Sequence, residues 1–178
     1  MDDTAFSLDN LTSNPDFNFS HKMSSINDDD DDFVFDSPYG NSNFTSSYCD
    51  PINLPSALDT NNFSCMSLNI QSISAKFNEF SELINVLSNL NCAPDIICLQ
   101  EIWRFPTYHN FKLVNYHPFI YKTRESSQGG GVGFFIKNTI KFKMLPEFSI
   151  FSEKIIETLF IEVTISNKRF IIGNIYRS

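Results

Sequence analysis

Two short apolar runs, CMSLNI at 65–70 and DIICLQ at 95–100, flank a stretch whose apolar residues fall at helical spacing. Nothing else in the chain restricts its fold as tightly. Between the runs, Phe77, Phe80, Ile84 and Leu87 recur at i, i+3, i+7 and i+10, which puts them on one face of a helix. Ser74 is the expected N-cap, and the helix should stop near Leu90–Asn91, ahead of Pro94. Runs without polar alternation suit strands covered on both faces. Strand, helix and strand in this length make a βαβ unit, with the strands parallel and the crossover right-handed.

Beyond this unit the pattern changes to antiparallel strands. HPFIYKT (117–123) and GVGFFIK (131–137) are expected to pair across a polar loop, and another strand fits near 139–144. ETLFIEVTI (157–165) and RFIIGNIYR (169–177) form a hairpin through the tight turn SNKR. Residues 63–178 therefore predict an α/β domain of the α+β type, a βαβ start that continues as an antiparallel meander.

Residues 1–62 have different physics. They carry 12 acidic residues and one basic residue, whereas 63–178 carry 9 acidic and 12 basic, so the net charge of -8 belongs to the front segment. That segment is rich in Asn, Asp and Ser, with the run Asp28 to Asp32 and prolines at 15, 38, 51 and 55. Its phenylalanines (6, 17, 19, 33, 35 and 44) show no period of 2 or 3.6. It cannot bury enough surface to offset its ordering entropy, and disorder is expected. It reads as a leader without a specific partner or, less simply, as an acidic tail that docks phenylalanines in a protein groove. The mildly basic remainder permits a polyanionic partner.

Of the cysteines, Cys49, Cys65, Cys92 and Cys98, no pair has zinc-knuckle spacing, and Cys92 and Cys98 lie among apolar residues. Free thiols in a reducing compartment are the simpler reading. No basic-then-apolar leader opens the chain, and no apolar run approaches the ~20 residues of a membrane span. The expectation is an intracellular protein of nucleus or cytoplasm, neither secreted nor membrane-bound.

In a βαβ unit both parallel strands end on one sheet edge, which is where open α/β sheets place ligands. Asn69 closes the first run and Glu101 follows the second, so the two should be neighbours. A carboxylate beside an amide oxygen there suits a hard cation, although a Glu after a strand is commonly solvated or paired with Lys. The loop RESSQGGGVGFF (124–135) has three consecutive glycines. They allow either a close approach to a phosphate, with Arg124 as a nearby charge, or a tight entry into a packed strand, and steric need is the weightier reading. The loop lacks the G-x-x-x-x-G-K-S/T pattern and opens no helix, which disfavours a nucleotide cradle. Tyr176 and Arg177 end the last strand; on the same edge they would offer a phosphate a phenol and a guanidinium fork. His21, His109 and His117 show no metal spacing.

Taken together, LNIQSISAKFNEF, PDIICLQEIW, GGGVGFFIKN, ETLFIEV and IIGNIYRS resemble the start of an endonuclease/exonuclease/phosphatase domain. The likeness is greatest to the apurinic-endonuclease-like domain at the front of non-LTR retrotransposon reverse-transcriptase polyproteins. It runs from about Ser67 to Ser178. The resemblance implies a four-layer α/β/β/α sandwich, of which this chain would hold part, and phosphodiester cleavage in DNA with Mg²⁺ or Mn²⁺. Position by position it implies that Asn69 organises metal and phosphate, that Glu101 is the principal metal ligand, and that Tyr176 lies near the scissile phosphate.

The same resemblance implies an Asp-x-Asn pair and an Asp-His pair after the tyrosine strand, to position and activate the attacking water. No such stretch follows Tyr176 here. The sequence thus reads as the front half of a nuclease domain, inactive alone, with sheet surfaces such as FFIK, LFIEV and FIIGN left to self-associate. The alternative is a non-catalytic interaction protein built on a relic scaffold. A phospholipid or inositol-phosphate phosphodiesterase of the same superfamily fits the GGGV and IYR stretches less well.

Overall fold

A computed structural model describes residues 63–177; the expected disordered tail at 1–62, with Cys49 and His21, lies outside the described residues. Strand β1 (Cys65–Asn69) leads into helix α1 (Ile73–Asn89) and then β2 (Ile96–Gln100). β1 and β2 pair in parallel, Asn69 opposite Gln100, which is the βαβ unit the two apolar runs dictate. The cap is two residues earlier than the sequence suggests. Ser72, not Ser74, accepts the Ala75 N–H at 3.3 Å, because the Ser72 and Ile73 amides are already held by the Glu101 and Ile102 carbonyls. Those bonds start the helix at Ile73 and leave Ser74 inside it, its hydroxyl 3.4 Å from His109 Nδ1.

The first sheet continues with β3 (Ile120–Lys122) and β4 (Val132–Ile136), in the order β1-β2-β4-β3. Its inner strands β2 and β4 are buried on both faces, as uninterrupted apolar runs require. β1 departs from this: it is an edge strand with Cys65 and Ser67 exposed, since the second sheet does not reach that far. On one face of the sheet Phe135 packs with Phe77, Phe80 and Phe119 under the helix. On the other, Ile96, Cys98, Val132, Phe134 and Ile136 meet Leu159, Ile161 and Val163 of the second sheet.

That second sheet is built on β7 (Ile156–Ile165), which pairs β5 (Lys141–Met144), the short β6 (Phe151–Ser152) and β8 (Lys168–Tyr176). β8 pairs along the whole of β7, so β5 and β6 share its other edge. The hairpin turns on Ser166 and Asn167, both at positive φ (48° and 62°), the conformation a two-residue primed turn needs. Helix, sheet and sheet make three layers of an α/β fold. The outer face of the second sheet keeps Ile171 and Ile175 exposed. No described helix is long and apolar enough to cross a membrane.

Two polar devices fix the layers. Asn174, on β8, faces the first sheet and is 1% exposed. Its amide donates to the Leu99 and Gly133 carbonyls, both at 2.9 Å, and its Oδ1 accepts from Gln100 Nε2 at 2.6 Å. At the far end of the sheet, Tyr116 is buried and donates its hydroxyl to the Pro94 carbonyl at 2.5 Å.

Asn174→Ala strands two buried carbonyls and should lower unfolding stability by about 2–4 kcal/mol, read as a shift in urea midpoint at constant slope. Tyr116 gives a pH signature. Burial, seconded by the Asp95 charge, pushes its hydroxyl above the ordinary tyrosine range. Its stabilisation is therefore complete below ~10, where the unfolded tyrosine ionises, and falls as pH rises beyond that. Tyr116→Phe should flatten the alkaline part of the stability profile between pH 9 and 11, measured by denaturant melts.

Candidate active site

The residues after β2 do not leave the sheet freely. Their carbonyls hold the start of α1, with the Ser72 N–H to the Glu101 oxygen at 2.8 Å and the Ile73 N–H to the Ile102 oxygen at 3.0 Å. Their amides reach the glycine loop: Trp103 N–H to the Gly130 oxygen at 2.8 Å and Arg104 N–H to the Gln128 oxygen at 2.8 Å. Ile102 is buried between these contacts. Glu101 and Trp103, either side of it, take positive φ of 54° and 60°. Such backbone costs on the order of 1–3 kcal/mol per residue and persists only where neighbours enforce it. The result is a carboxylate and an indole on the same side, with Trp103 Nε1–H donating to Glu101 Oε2 at 2.7 Å.

The glycines serve packing, in line with the weightier sequence reading. Gly130 and Gly131 have φ of 76° and 88°. A Cβ on Gly130 would strike the Arg124 guanidinium, and one on Gly131 would lie 2.7 Å from Ile102 Cγ1. The Gly130 N–H is already spent on Glu101 Oε2, at 3.0 Å. A Cβ on Gly129 would meet Glu101 Oε2 only at an ordinary 3.7 Å.

Tyr176 arrives from the second sheet. Two residues beyond Asn174, it shares that residue's face and its hydroxyl hydrogen-bonds the Glu101 carboxylate. Opposite Tyr176 in the β7–β8 register stands Glu157, fully buried, which accepts Arg124 Nε and the Gly131 N–H. Arg124, which one reading of the sequence offers as a nearby charge for a phosphate, does not face solvent. It is 7% exposed and ion-paired with Glu157, a partner that only the folded topology supplies. Arg177 is exposed just past β8.

Burial alone would raise the pKa of Glu101. The Tyr176 hydroxyl, the Gly130 and Trp103 N–H groups and the Arg124 charge outweigh it and hold the carboxyl below its ordinary range. Glu101 is thus a carboxylate kept charged in a half-buried place. Asn69, paired with Gln100 in the neighbouring strand, ends on the same edge. Its Oδ1 is shielded from solvent and accepts no hydrogen bond. Buried amide oxygens are ordinarily satisfied, so an orphan on the sheet edge that also carries Glu101 fits an oxygen-seeking cation. No three His, Cys, Asp or Glu side chains cluster as metal ligands among the described residues. A single carboxylate and an amide oxygen suit Mg²⁺, which keeps waters and phosphate oxygens in the rest of its shell.

The structure thus brings Glu101, Tyr176 and the Arg124 charge together, with Asn69 on the same edge. His109 packs on Tyr108 and Phe111, and His117 on Phe142, outside this group. Sequence reasoning missed Trp103, Glu157 and Asn174. Their signals were present: a charge opening the apolar ETLFIEV, and an amide alternating with Tyr176 in GNIY.

Similarity to known proteins bears on this arrangement. No curated protein matches the chain. Among solved structures it is similar to the 3′ phosphatase NExo from Neisseria bound to a product DNA hairpin, at 16% identity and a TM-score of 0.38, covering 62% of this chain and 40% of that one. It is also similar to D. rerio TDP2 complexed with a single-strand DNA product, at 19% identity and a TM-score of 0.41, covering 62% of this chain and 44% of that one. A humanized D. rerio TDP2 gives 18% and 0.40, with 62% of this chain and 48% of that one covered. The chain thus spans less than half the length of these structures. The model of the Endonuclease/Exonuclease/phosphatase family matches residues 66–173, the span from β1 through most of β8. With more than half of its sequence inside that match, the chain belongs to the Endonuclease/Exonuclease/phosphatase family.

Proposed function

We propose that this domain cleaves phosphodiester bonds in DNA with Mg²⁺ or Mn²⁺, in the manner of the retrotransposon apurinic-endonuclease-like domains its motifs resemble. The observation that carries the reading is the Glu101 carboxylate, held charged by three hydrogen-bond donors on the edge where Asn69 Oδ1 has no partner. Glu101 and Asn69 would hold the cation. Once bound, it would neutralise charge developing on the phosphate oxygens and the leaving group. Tyr176 has its hydroxyl at the same carboxylate, and its single O–H would turn from Glu101 to a phosphoryl oxygen when substrate is present. Arg177, exposed one residue on, is available to the DNA backbone. Arg124 contributes through its charge and its hold on Glu157 rather than by reaching out to substrate.

Residues able to activate the attacking water belong, by the resemblance, to segments after Tyr176. Glu101, Asn69, Tyr176 and Arg177 carry the cation- and phosphate-binding part of the site, which cation binding tests directly. A cation that binds only the folded state raises its melting point, by about 2.7 kcal/mol of linkage at a hundredfold excess over Kd. Mg²⁺ and Mn²⁺ should therefore shift the thermal melt upward, reversibly with EDTA. Glu101→Gln, whose amide oxygen can still accept from Trp103 and Gly130, should lose most of that shift. Equal shifts in the two proteins would rule the reading out.

A further inference from the structure

Trp103 is the sole tryptophan of the chain, and in the roles above it is only one of three donors to Glu101. Its backbone lies at φ 60°, a conformation that bulky side chains rarely adopt. Mere packing explains neither that strain nor the side chain's direction, because a ring seeking only burial gains nothing from facing a carboxylate. The indole N–H instead donates to Glu101 Oε2 at 2.7 Å. The Gly130 N–H donates to the same oxygen at 3.0 Å. A carboxylate oxygen has two lone-pair sites, so these donors fill Oε2. With the Tyr176 hydroxyl as a third donor to this carboxylate, Oε1 keeps one lone pair for a cation.

We propose that Trp103 is a positioning residue for Glu101, fixing one carboxylate oxygen with its indole N–H so that the other is presented to the divalent cation. This rests on the cation-binding reading above. Two features of the local fold support the assignment. The Trp103 amide is pinned to the Gly130 carbonyl at 2.8 Å, so the two donors to Oε2 come from segments bonded to each other. Between them the buried Ile102 gives its N–H to the Gly131 carbonyl at 3.4 Å, a further bond between the same two segments. The carboxylate is thus oriented by a rigid two-donor clamp instead of by solvent. Partners that orient a metal ligand typically contribute ten- to a hundredfold in metal affinity.

The test is Mn²⁺ affinity, measured by calorimetry on the full 178-residue chain, for the wild type, Trp103→Phe and Trp103→His. Phe keeps an aromatic ring and removes the N–H; His also loses the indole's bulk but retains a ring N–H. The expected result is at least tenfold weaker binding for Trp103→Phe and at most about threefold weaker for Trp103→His, with both folded by circular dichroism. Wild-type affinity in Trp103→Phe would overturn the positioning role while leaving the cation reading intact. Equal losses in both variants would overturn it too, since bulk and not the hydrogen bond would then matter. No Mn²⁺ binding by the wild type would overturn the cation reading itself, and this inference with it. If Trp103→Phe fails to fold, the single indole N–H resonance of the wild type decides: it should shift on saturation with Mg²⁺, and an unmoved resonance would overturn the proposal.

Discussion

The side chain of Asn174 is the constraint on which the rest depends. It sits in the apolar seam between two sheets, where an unpaired amide would be costly, and satisfies both of its ends on the first sheet. Apolar packing of Leu159, Ile161 and Val163 tolerates small slides of one sheet over the other. Three directed hydrogen bonds do not. Because strand side chains alternate with period two, fixing Asn174 also fixes Tyr176 on the inward face at the level of Glu101. A residue with no chemistry of its own thereby sets the distance between those that have it.

Electrostatics explains why the charged groups can stay. Glu157 and Arg124 are both buried, and taking two such ions out of water costs more than a single contact returns. Each therefore makes more than one: Glu157 also accepts the Gly131 N–H, and the Arg124 charge also acts on Glu101. The pair closes the glycine loop onto the sheet. Gly130 must lack a side chain because the guanidinium occupies that space. Loop shape and carboxylate charge are thus two outcomes of one arrangement.

How much of this was legible beforehand follows from distance along the chain. The βαβ unit and the β7–β8 hairpin are local and could be read from run lengths, helical period and turn residues. The juxtaposition of Asn69 with Glu101 followed from parallel pairing alone. What could not be read depended on remote partners. Ser72 displaced Ser74 as the cap because the Glu101 and Ile102 carbonyls, some thirty residues away, hold the preceding amides. Arg124 is turned inward by Glu157, 33 residues further on. β1 is exposed because it lies at a sheet edge, and β6, with two residues, is too short to leave a periodic trace.

The same separations set an order of assembly. The β7–β8 hairpin closes across two residues, and hairpins of that kind form in microseconds. Asn174 and Leu99 lie 75 positions apart, so their contact must pay the closure of most of the domain before it returns anything. The carboxylate pocket is therefore among the last regions to become native and among the first to open when the sheets part. Its occupancy would be a reporter of complete folding, where backbone spectra would register the hairpin and the helix alone.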